Sequence, residues 1–513
     1  MGKCSIHNIT GCFHDIFARK KKEITHFRRG TSFSGTLNVF GEDPQEILKK
    51  RFKKENRQQE DFNTILKIMN EFNISKKEMS DFIDSFIDEM VLGLSSPNHE
   101  GDLRMIPTYV TNIPSGRETG QYLALDLGGT NFRVLRLTLK GNEQPFDLLG
   151  SLFSVSATIM KSSGNALFEF IADKIVEFLE NNNMDKSEEY KLGFTFSFPC
   201  DQKSLKKGIL VKWTKGFDCP DIVGRDVVGS LQSAINRKGV KVKIVALVND
   251  TVGTLMASAY NYPDCAMGMI VGTGTNACYV EKVSEIKNVN HLKCKTEEMV
   301  INMEWGAYGD TNGKLERFIT PFDEEIDNES INPGMQRFEK LISGMYMGEV
   351  VRKILLHLID KKLLFIRSAN HTESLTFDMG PLNTPNTFYS RYVSEIETDR
   401  GKRFKKTKSI LSSIGIPKPE DYDCAIVHFV CRLVSKRAAK LLACAVCAVL
   451  TKMDKKELTI GVDGSLYRHH PTFMLDVELE CNYLLDPSII YNIALAKDGS
   501  GIGAALAAAA AES

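Results

Sequence analysis

An aspartate and an asparagine that directly follow an apolar run are the residues best placed to do chemistry in this sequence. The run VKIVALV ends at Val248, Asn249 and Asp250 come next, and a helical pattern begins near Thr251. Open α/β sheets place their ligand groups at the carboxyl ends of strands. A partly desolvated carboxylate there has the raised basicity that hydroxyl deprotonation needs. Aspartate also caps helices very often, so this segment alone leaves both a general base and a helix cap open for Asp250.

Two glycine-containing turns are suited to holding phosphate groups. GGTN occupies 128–131 and TGTN occupies 273–276, and each lies between two apolar runs. Backbone amides of such bends can approach an anion closely, and a threonine hydroxyl adds a donor without adding charge. Glycine in a hairpin turn can instead serve only to permit a positive φ. The sequence has no P-loop and no protein-kinase HRD or DFG motif, which excludes these two phosphate-binding solutions.

A lysine and two glutamates add groups that suit a phosphorylated or polyhydroxylated substrate. KWTKGF supplies Thr214 and Lys215, INMEWGAYGD supplies Glu304, and RFEKLISGMYMGE supplies Glu339. A lysine can neutralise a phosphoryl group during transfer, and paired carboxylates can accept hydrogen bonds from several hydroxyls of a sugar. Each of these residue types taken singly is more often a solvated surface residue, so their roles stay open at this point.

Composition excludes several classes of partner. The 513 residues include 65 Lys plus Arg and 65 Asp plus Glu, so the chain has no overall charge to hold nucleic acid or an anionic membrane surface. A hydrophobic fraction of 42% and a charged fraction of 25% are typical of soluble globular proteins, and no apolar run is long enough for a spanning helix. These features predict a small-molecule partner, and the length predicts two lobes or several domains.

The cysteine pattern predicts a reducing compartment. Twelve cysteines, mostly within apolar runs, fit buried free thiols better than a disulfide framework. No apolar signal segment follows the basic residues near the N-terminus, so a cytoplasmic location is expected. Cys444 and Cys447, in LLACAVCAVL, have the spacing of half a zinc site, but no matching second pair follows within range. Buried thiols in an apolar helix are the favoured interpretation.

The elements that must position the candidate residues follow from hydrophobic periodicity. Helical spacing near the N-terminus includes a capping box at Ser75 and Glu78, and helical periodicity also dominates 346–453. Strand patterns flank each glycine turn, over 121–139 and 266–283, and further strands and helices alternate between them. The two turn regions form a weak internal repeat, and a duplicated α/β core is the simplest structure that would produce it.

Eight segments, in order along the chain, resemble motifs of the hexokinase family, which includes glucokinase. They are LALDLGGTNFRV, LGFTFSFPC, VKWTKGF, LVNDTVGTL, GTGTNACY, NMEWGAYGD, FEKLISGMYMGE and GVDGSLYRHHP. The resemblance implies an α/β chain with the two-lobed actin-like ATPase (ribonuclease H-like) fold, which has a duplicated α/β core and an interlobe cleft. It also implies a single catalytic unit that uses ATP to phosphorylate the 6-hydroxyl of a hexose, which is the opening step of glycolysis. Glucose is the expected hexose, with mannose and fructose as further candidates.

The resemblance also implies roles for individual residues. Asp250 would take the proton of the 6-hydroxyl, and Lys215 would stabilise the transferring phosphoryl group. The residues that would line the hexose pocket are Ser197, Thr214, Lys215, Asn249, Asp250, Asn276, Glu304 and Glu339. Those that would hold the nucleotide are Asp126, Gly128, Gly129, Thr130, Asn131, Thr273, Gly464 and Ser465. Mg²⁺ would accompany ATP without a direct protein ligand and would reach Asp126 through water.

The expected division of the chain has five segments. They are an N-terminal extension over 1–42, N-terminal helices of the large lobe over 43–112, the small lobe over 113–248, the rest of the large lobe over 249–490, and a C-terminal helix that returns to the small lobe over 491–513. Closure of the lobes on the sugar would exclude water as a competing acceptor. A monomer or a homodimer is expected.

Two departures from the family pattern and two alternative functions qualify this interpretation. Met345 stands where some members of the family have lysine, so no charged nucleotide contact is expected there. Ile502 replaces a frequent lysine, which is expected to weaken nucleotide binding slightly. A protein can keep a fold and bind sugar without turnover, and a kinase of another acceptor, such as glycerol, is the second alternative. The full set of base, lysine and glycine turns favours an enzyme, and paired Glu304 and Glu339 favour a polyhydroxylated ring.

Overall fold

The structure is a computed structural model that describes most of the chain after residue 47. The described ranges are 48–50, 59–95, 101–141, 144–287, 296–366, 380–399, 403–416, 418–496 and 498–511. The predicted extension over 1–42 and its basic residues lie outside the described residues.

Strands and helices alternate along the first half of the described chain, and helices dominate the second half, as the sequence predicts. The strands are β1 (Ile106–Pro107), β2 (Thr119–Leu127), β3 (Asn131–Lys140), β4 (Asp147–Ser154), β5 (Tyr190–Phe196), β6 (Cys200–Ser204), β7 (Lys207–Leu210), β8 (Val242–Val248), β9 (Cys265–Val271), β10 (Thr275–Lys282), β11 (Glu298–Asn302), β12 (Glu457–Asp463) and β13 (Ile490–Leu495). The α-helices are α1 (Gln59–Asn70), α2 (Lys76–Ser95), α3 (Ala157–Met160), α4 (Gly164–Asn181), α5 (Val227–Arg237), α6 (Asp250–Ala259), α7 (Pro321–Glu329), α8 (Arg337–Ile342), α9 (Gly344–Asp360), α10 (Ser390–Glu397), α11 (Lys405–Ser413), α12 (Asp421–Met453), α13 (Ser465–His469), α14 (Phe473–Leu484) and α15 (Gly499–Ala510). Short 3₁₀ helices span Pro220–Ile222, Val283–Glu285, Trp305–Ala307, Glu316–Phe318 and Gly380–Asn383.

Two sheets that share one order over five strands form the framework. The five-stranded sheet has the order β4-β3-β2-β5-β8, and the six-stranded sheet has the order β1-β11-β10-β9-β12-β13. In each, an antiparallel three-strand unit leads into two parallel strands, since β2 pairs with β5 and β9 pairs with β12 in parallel. The order from β11 to β13 therefore repeats the order from β4 to β8, which confirms the predicted duplicated α/β core.

The hairpins at the two glycine turns are equivalent in this repeat. Leu127 pairs with Phe132 at the end of the first hairpin, and Val271 pairs with Thr275 at the end of the second. Residues at the carboxyl ends of β2 and β9 therefore occupy the same topological position in their sheets. This is the edge at which open α/β sheets bind ligands.

Two helices lie between the sheets and connect them. Helix α6 follows β8, helix α15 follows β13, and these two helices pack against each other while α15 also packs on β2 and β5. Their backbones approach so closely that a Cβ atom at Gly503 would lie only 1.8 Å from the carbonyl oxygen of Gly253. The carboxyl end of β8, where Asp250 stands, is thereby held between the two sheets.

The helical part of the chain packs around α12, a 33-residue helix. Ser75 and Glu78 form the predicted capping box before α2, with Ser75 N donating to Glu78 Oε2 at 2.8 Å and Glu78 N donating to Ser75 Oγ at 3.3 Å. Cys444 and Cys447 are buried free thiols of α12. No group of three or more metal-ligating side chains occurs among the described residues, so the half-site spacing does not form a zinc site in the described part of the chain.

One predicted segment boundary falls at the end of an element and another falls within a strand. Residue 248 ends β8, whereas residues 491–495 of the last predicted segment belong to β13 of the six-stranded sheet. The five-segment division stays a prediction. Over the ranges that the structure describes, none of the helices combines the length and the apolar character needed to cross a membrane.

Candidate active site

Asn249 takes the helix-cap role that the sequence leaves open for Asp250. Asn249 is the N-cap of α6, and its Oδ1 accepts from Thr251 N at 2.9 Å and from the Thr251 hydroxyl at 2.8 Å. Asp250 is the first helical residue, and its Oδ1 shares the same Thr251 N–H with Asn249, at 2.9 Å. Because Asn249 supplies the cap, the half-buried carboxylate of Asp250 is left available at the end of β8.

The electrostatic surroundings of Asp250 fit a basic carboxylate. Burial raises the pKa of Asp250, the ammonium of Lys215 opposes that rise, and the charge of Asp126 adds to it. A carboxylate whose ionised form is destabilised in this way accepts a proton more readily than an exposed one.

One cavity of about 260 Å³ brings together residues from both predicted sets. Asp250, Lys215 and Ser197 come from the predicted hexose set, and Asp126, Gly128 and Asn131 come from the predicted nucleotide set. The lining also includes Arg133, Leu152 and Ser500. Carboxylates, a cation and a glycine turn thus face the same space.

Lys215 is held in a defined position although it is exposed. Its backbone is left-handed, with φ of 57°, and its Nζ donates to the carbonyl oxygen of Ser197 at 2.8 Å. The same Nζ lies 5.3 Å from the centroid of the Phe198 ring. The side chain thus reaches back over the end of β5, and the neighbouring Thr214 is half-buried.

Glu304 is fixed by two asparagines. Its Oε1 accepts from Asn276 Nδ2 at 3.0 Å and from Asn302 Nδ2 at 2.8 Å, while Asn276 Nδ2 also donates to Asn302 Oδ1 at 2.9 Å. Burial raises the pKa of Glu304, the amide of Asn302 opposes this, and the nearby charge of Asp250 adds to it. Both amide donors thus bond to the same carboxylate oxygen of Glu304.

Glu339 is fixed by the second glycine turn. Its Oε2 accepts from Thr275 N at 2.9 Å. Burial raises the pKa of Glu339, the Thr275 amide opposes this, and the charges of Glu304 and Asp250 add to it. The charge of Asp250 thus acts on both Glu304 and Glu339, although these two glutamates do not line the cavity that Asp250 lines.

The four turn glycines are not needed for backbone conformation, since none of Gly128, Gly129, Gly272 and Gly274 has a positive φ. Gly129 has open space around it, because an added Cβ would meet no atom within 4 Å. At Gly274 an added Cβ would lie 2.6 Å from Glu339 Oε2, and at Gly272 it would lie 3.2 Å from Ser465 N. The positive-φ explanation therefore fails for both turns.

The predicted nucleotide residues form two groups. Asp126, Gly128 and Asn131 line the cavity, with Gly129 and Thr130 between them. Thr273 is exposed beside Gly272, whose close contact with Gly464 and Ser465 unites the remaining predicted positions. Thr273, Gly464 and Ser465 are not part of the cavity lining, and neither are Thr214, Asn249 and Asn276 of the hexose set.

Sequence reasoning missed three polar residues next to these groups, which are Arg133, Ser500 and Asn302. Arg133 Nη2 lies 2.5 Å from Asp126 Oδ2, and Ser500 Oγ donates to the same oxygen at 2.9 Å. Arg133 also pairs with Asp498. Asn302 and Arg133 each stand two residues from a predicted site residue, so the period-two pattern of a strand could have identified them. Ser500 has no such signal.

Asp126 offers a partial fit to a metal ion that arrives with a nucleotide. Its carboxylate lines the cavity beside the first glycine turn, but Oδ2 is already bonded to Arg133 and Ser500. A hard cation such as Mg²⁺ favours oxygen ligands and keeps several waters. The single carboxylate fits contact through water better than a complete protein-built metal site.

Comparisons with known proteins agree with this architecture. The hexokinase family is matched by two models, over residues 64–260 and over residues 266–510. The hexokinase of Schistosoma mansoni is 40% identical over 450 residues, which cover 87% of this chain and 97% of that protein. The solved structure of that hexokinase in complex with glucose covers 88% of this chain and 99% of its own, with a TM-score of 0.78 and 40% identity.

A mammalian relative differs from this chain in length. Hexokinase-1 of Mus musculus is 42% identical over 447 residues, which cover 85% of this chain but only 44% of that protein. This chain therefore spans nearly all of the Schistosoma protein and less than half of the mouse protein.

Proposed function

The chain belongs to the hexokinase family and is an ATP-dependent hexose kinase, and we propose that it transfers the terminal phosphoryl group of ATP to the 6-hydroxyl of glucose. The products would be glucose 6-phosphate and ADP, so the reaction would open glycolysis. The similar hexokinase of Schistosoma mansoni has been solved in complex with glucose, which supports glucose as the first substrate to test.

The observation that carries this proposal is the composition of the cavity at the carboxyl ends of β2, β5 and β8. Asp250 and Lys215 share it with Asp126, Gly128 and Asn131. Phosphoryl transfer needs an aligned hydroxyl, a proton acceptor and charge neutralisation, with little covalent chemistry by the protein. These groups supply the last two requirements in one place.

In the proposed mechanism Asp250 accepts the proton of the 6-hydroxyl as its oxygen attacks the γ-phosphorus. Its raised pKa favours proton uptake. Lys215, held by Ser197, places positive charge beside the transferring group. Breaking of the bond from the γ-phosphorus to the bridging oxygen leaves ADP.

The sugar would be held by Glu304 and Glu339. Each carboxylate has one oxygen bonded to protein amides, which is Oε1 in Glu304 and Oε2 in Glu339. Carboxylate oxygens accept hydrogen bonds only, so the two glutamates select an acceptor with several donating hydroxyls. Thr214, Asn249 and Asn276 would contribute the remaining contacts to the ring.

ATP would lie across the two turns, with its phosphates near Asp126 to Asn131 on one side and near Thr273, Gly464 and Ser465 on the other. Bound Mg²⁺ would supply charge neutralisation at the β- and γ-phosphates. Asp126 would hold water on that ion, and its own position is fixed by Arg133 and Ser500.

Closure of the two lobes on the sugar would remove water from the cleft. Water is the competing nucleophile, and an active site that assembles only around the correct acceptor suppresses hydrolysis of ATP.

The free thiols of the nine described cysteines support a cytoplasmic location. Whether the chain is a monomer or a homodimer stays a prediction.

The proposal is tested by initial rates with ATP and Mg²⁺ on glucose, mannose, fructose, glucosamine and glycerol. We expect phosphorylation of glucose and related hexoses and no turnover of glycerol. Hexose binding measured by calorimetry without any turnover would instead support a sugar sensor. Phosphorylation of glycerol in preference to hexoses would overturn the assignment of the acceptor.

A further inference from the structure

Thr275 links the two glutamates that are proposed to hold the sugar. Its backbone N–H donates to Glu339 Oε2 at 2.9 Å. Its hydroxyl oxygen accepts from the indole Nε1 of Trp305 at 3.1 Å, and Trp305 directly follows Glu304 in the chain. The Thr275 side chain and Trp305 are both buried, so neither group of this hydrogen bond has water as an alternative partner.

The indole of Trp305 also contacts the helix that carries Glu339. Its ring centroid lies 6.3 Å from that of Phe338, the residue before Glu339, and the two rings meet edge to face at 89°. Phe86 packs against the same indole at 6.5 Å. A shift of the indole would therefore move the backbone next to both carboxylates.

Glu304 depends on such an anchor because its own backbone is strained. Its φ is 52°, in the left-handed region that glutamate rarely adopts. A conformation of this kind persists only where the surrounding structure imposes it. Trp305, which is fully buried and hydrogen-bonded at its indole nitrogen, is one neighbour of Glu304 that can impose it.

We propose that the hydrogen bond between the Thr275 hydroxyl and the Trp305 indole fixes the spacing of Glu304 and Glu339 and thereby sets the affinity for hexose. Thr275 and Trp305 act as positioning residues, since neither needs to touch the sugar. This inference rests on the proposed sugar site. Thr273, the proposed nucleotide contact of the same turn, takes no part in this hydrogen bond. The inference therefore predicts an effect on the sugar that spares ATP.

The test compares substitutions at Thr275 in the full chain. Thr275→Val keeps the side-chain volume and removes the acceptor, which leaves a buried indole N–H unpaired, and we expect hexose affinity without nucleotide to weaken roughly tenfold. Thr275→Ser keeps a hydroxyl and should restore hexose affinity to within about twofold of wild type, while the KM for ATP stays within about twofold in all variants. Titration calorimetry gives the hexose affinity, and initial rates give both KM values.

A double-mutant cycle separates positioning from a general loss of stability. Trp305→Phe removes the indole donor, so adding Thr275→Val to it should weaken hexose binding little further. Thr407→Val is the matched control, because Thr407 is also buried and its hydroxyl donates to Asp399 Oδ2 at 3.1 Å, on a helix that contributes nothing to the proposed site. That control should lose stability and keep its hexose affinity.

Several outcomes would overturn the inference. They are an unchanged hexose affinity in Thr275→Val, an equal further loss in the Trp305→Phe background, or a matching loss in Thr407→Val. If Thr275→Val does not fold, Thr275→Ala carries the same expectation and the same contrary results. A wild-type chain that fails to phosphorylate any hexose would refute the proposed function instead, and hexose binding by calorimetry would still test the link.

Discussion

The two glycine turns occupy equivalent positions in duplicated sheets, yet their surroundings differ. Around the first turn, between β2 and β3, Gly129 has no neighbour within 4 Å of an added Cβ, and Thr130 and Asn131 are exposed. Around the second turn, between β9 and β10, Gly272 is packed against Ser465 and Gly274 against Glu339. The first turn is open to the cleft, whereas the second is built into the surrounding protein.

This difference shows how a duplicated hairpin can serve two substrates. Open backbone amides suit an anion that arrives from solution, because nothing in the protein competes for the same space. A packed turn suits the positioning of side chains, and the second turn fixes Glu339 through Thr275 N and Glu304 through Asn276. We therefore expect damage to the first turn to affect the nucleotide. Damage to the packed residues Gly274 and Thr275 of the second turn should affect the sugar more than the nucleotide, which is proposed to contact Thr273 on that turn.

The largest effect is expected between the two sheets, at the start of α6. Asp250→Ala removes the proposed proton acceptor, and kcat should fall by a factor on the order of 10² to 10⁴, the usual range for a general base. Hexose binding by calorimetry and thermal unfolding should show that the fold survives. Near-normal turnover in a folded Asp250→Ala variant would refute the role, and Asp250→Asn is the isosteric control.

The next largest effect is expected in the packed turn. Gly274→Ala would place a Cβ 2.6 Å from Glu339 Oε2, so Glu339 must leave its hydrogen bond to Thr275 N. Misplacement of a substrate contact by about 1 Å can cost on the order of 10²-fold, and we expect kcat/KM for hexose to fall by that order. Initial rates at varied hexose and ATP check this, and a larger change in the KM for ATP than for hexose would contradict the comparison.

A smaller effect, on ATP and not on hexose, is expected in the open turn. In Gly129→Ala the added Cβ meets no protein atom within 4 Å, and the φ of Gly129 is not positive, so alanine can adopt it. The free energy of unfolding should therefore change by no more than about 0.5 kcal/mol. The added methyl would instead hinder the approach of phosphate to the backbone amides, and the KM for ATP should rise roughly tenfold. A rise in the KM for hexose without one for ATP would show that the two turns do not divide the substrates.

The smallest effect is a pH dependence that separates the site carboxylates from a structural one. Burial raises the pKa of Glu304 and Glu339, so they protonate at a higher pH than ordinary glutamates, and the KM for hexose should rise severalfold as pH falls from 7 towards about 5. Initial rates from about pH 4 to pH 8 measure it. A KM that stays flat down to the ordinary glutamate pKa of about 4.3 would contradict it.

Stability should respond to pH with opposite signs in the two places. A raised pKa means that the folded state binds more protons than the unfolded state, so the contribution of Glu304 and Glu339 to folding improves as pH falls through their window. Burial would also raise the pKa of Glu397, but His470, Arg432 and the Ser435 hydroxyl outweigh it and lower that pKa to about 2. The contribution of Glu397 is therefore present above the unfolded pKa and is lost as pH falls towards 2.

Urea unfolding of single variants distinguishes these signs. Glu304→Gln should flatten the stability gain at mildly acidic pH, whereas Glu397→Gln should lower stability near neutral pH and leave the KM for hexose unchanged. The same sign for both variants would show that Glu304 is a structural carboxylate like Glu397.

Much of the fold was predictable from local patterns. Strand periodicity identified both hairpins around the glycine turns, Ser75 and Glu78 predicted the start of α2, and the weak repeat between the turns predicted the duplicated core. The hairpins and the helix start depend on residues that are close in sequence, and the repeat depends on two short segments that each carry the same pattern. The eight ordered motifs identified the family for the same reason, because each motif is a short continuous segment.

The tertiary structure alone decided which groups meet. Ser500 bonds to Asp126 across 374 positions of sequence, and Glu339 bonds to Thr275 across 64. It also decided that Asn249 caps α6 while Asp250 stays available, and that the turn glycines answer to packing and open space instead of to φ. Periodicity reports only which face of an element is apolar, whereas such contacts depend on how sheets and helices pack, and that packing is set by the whole chain at once.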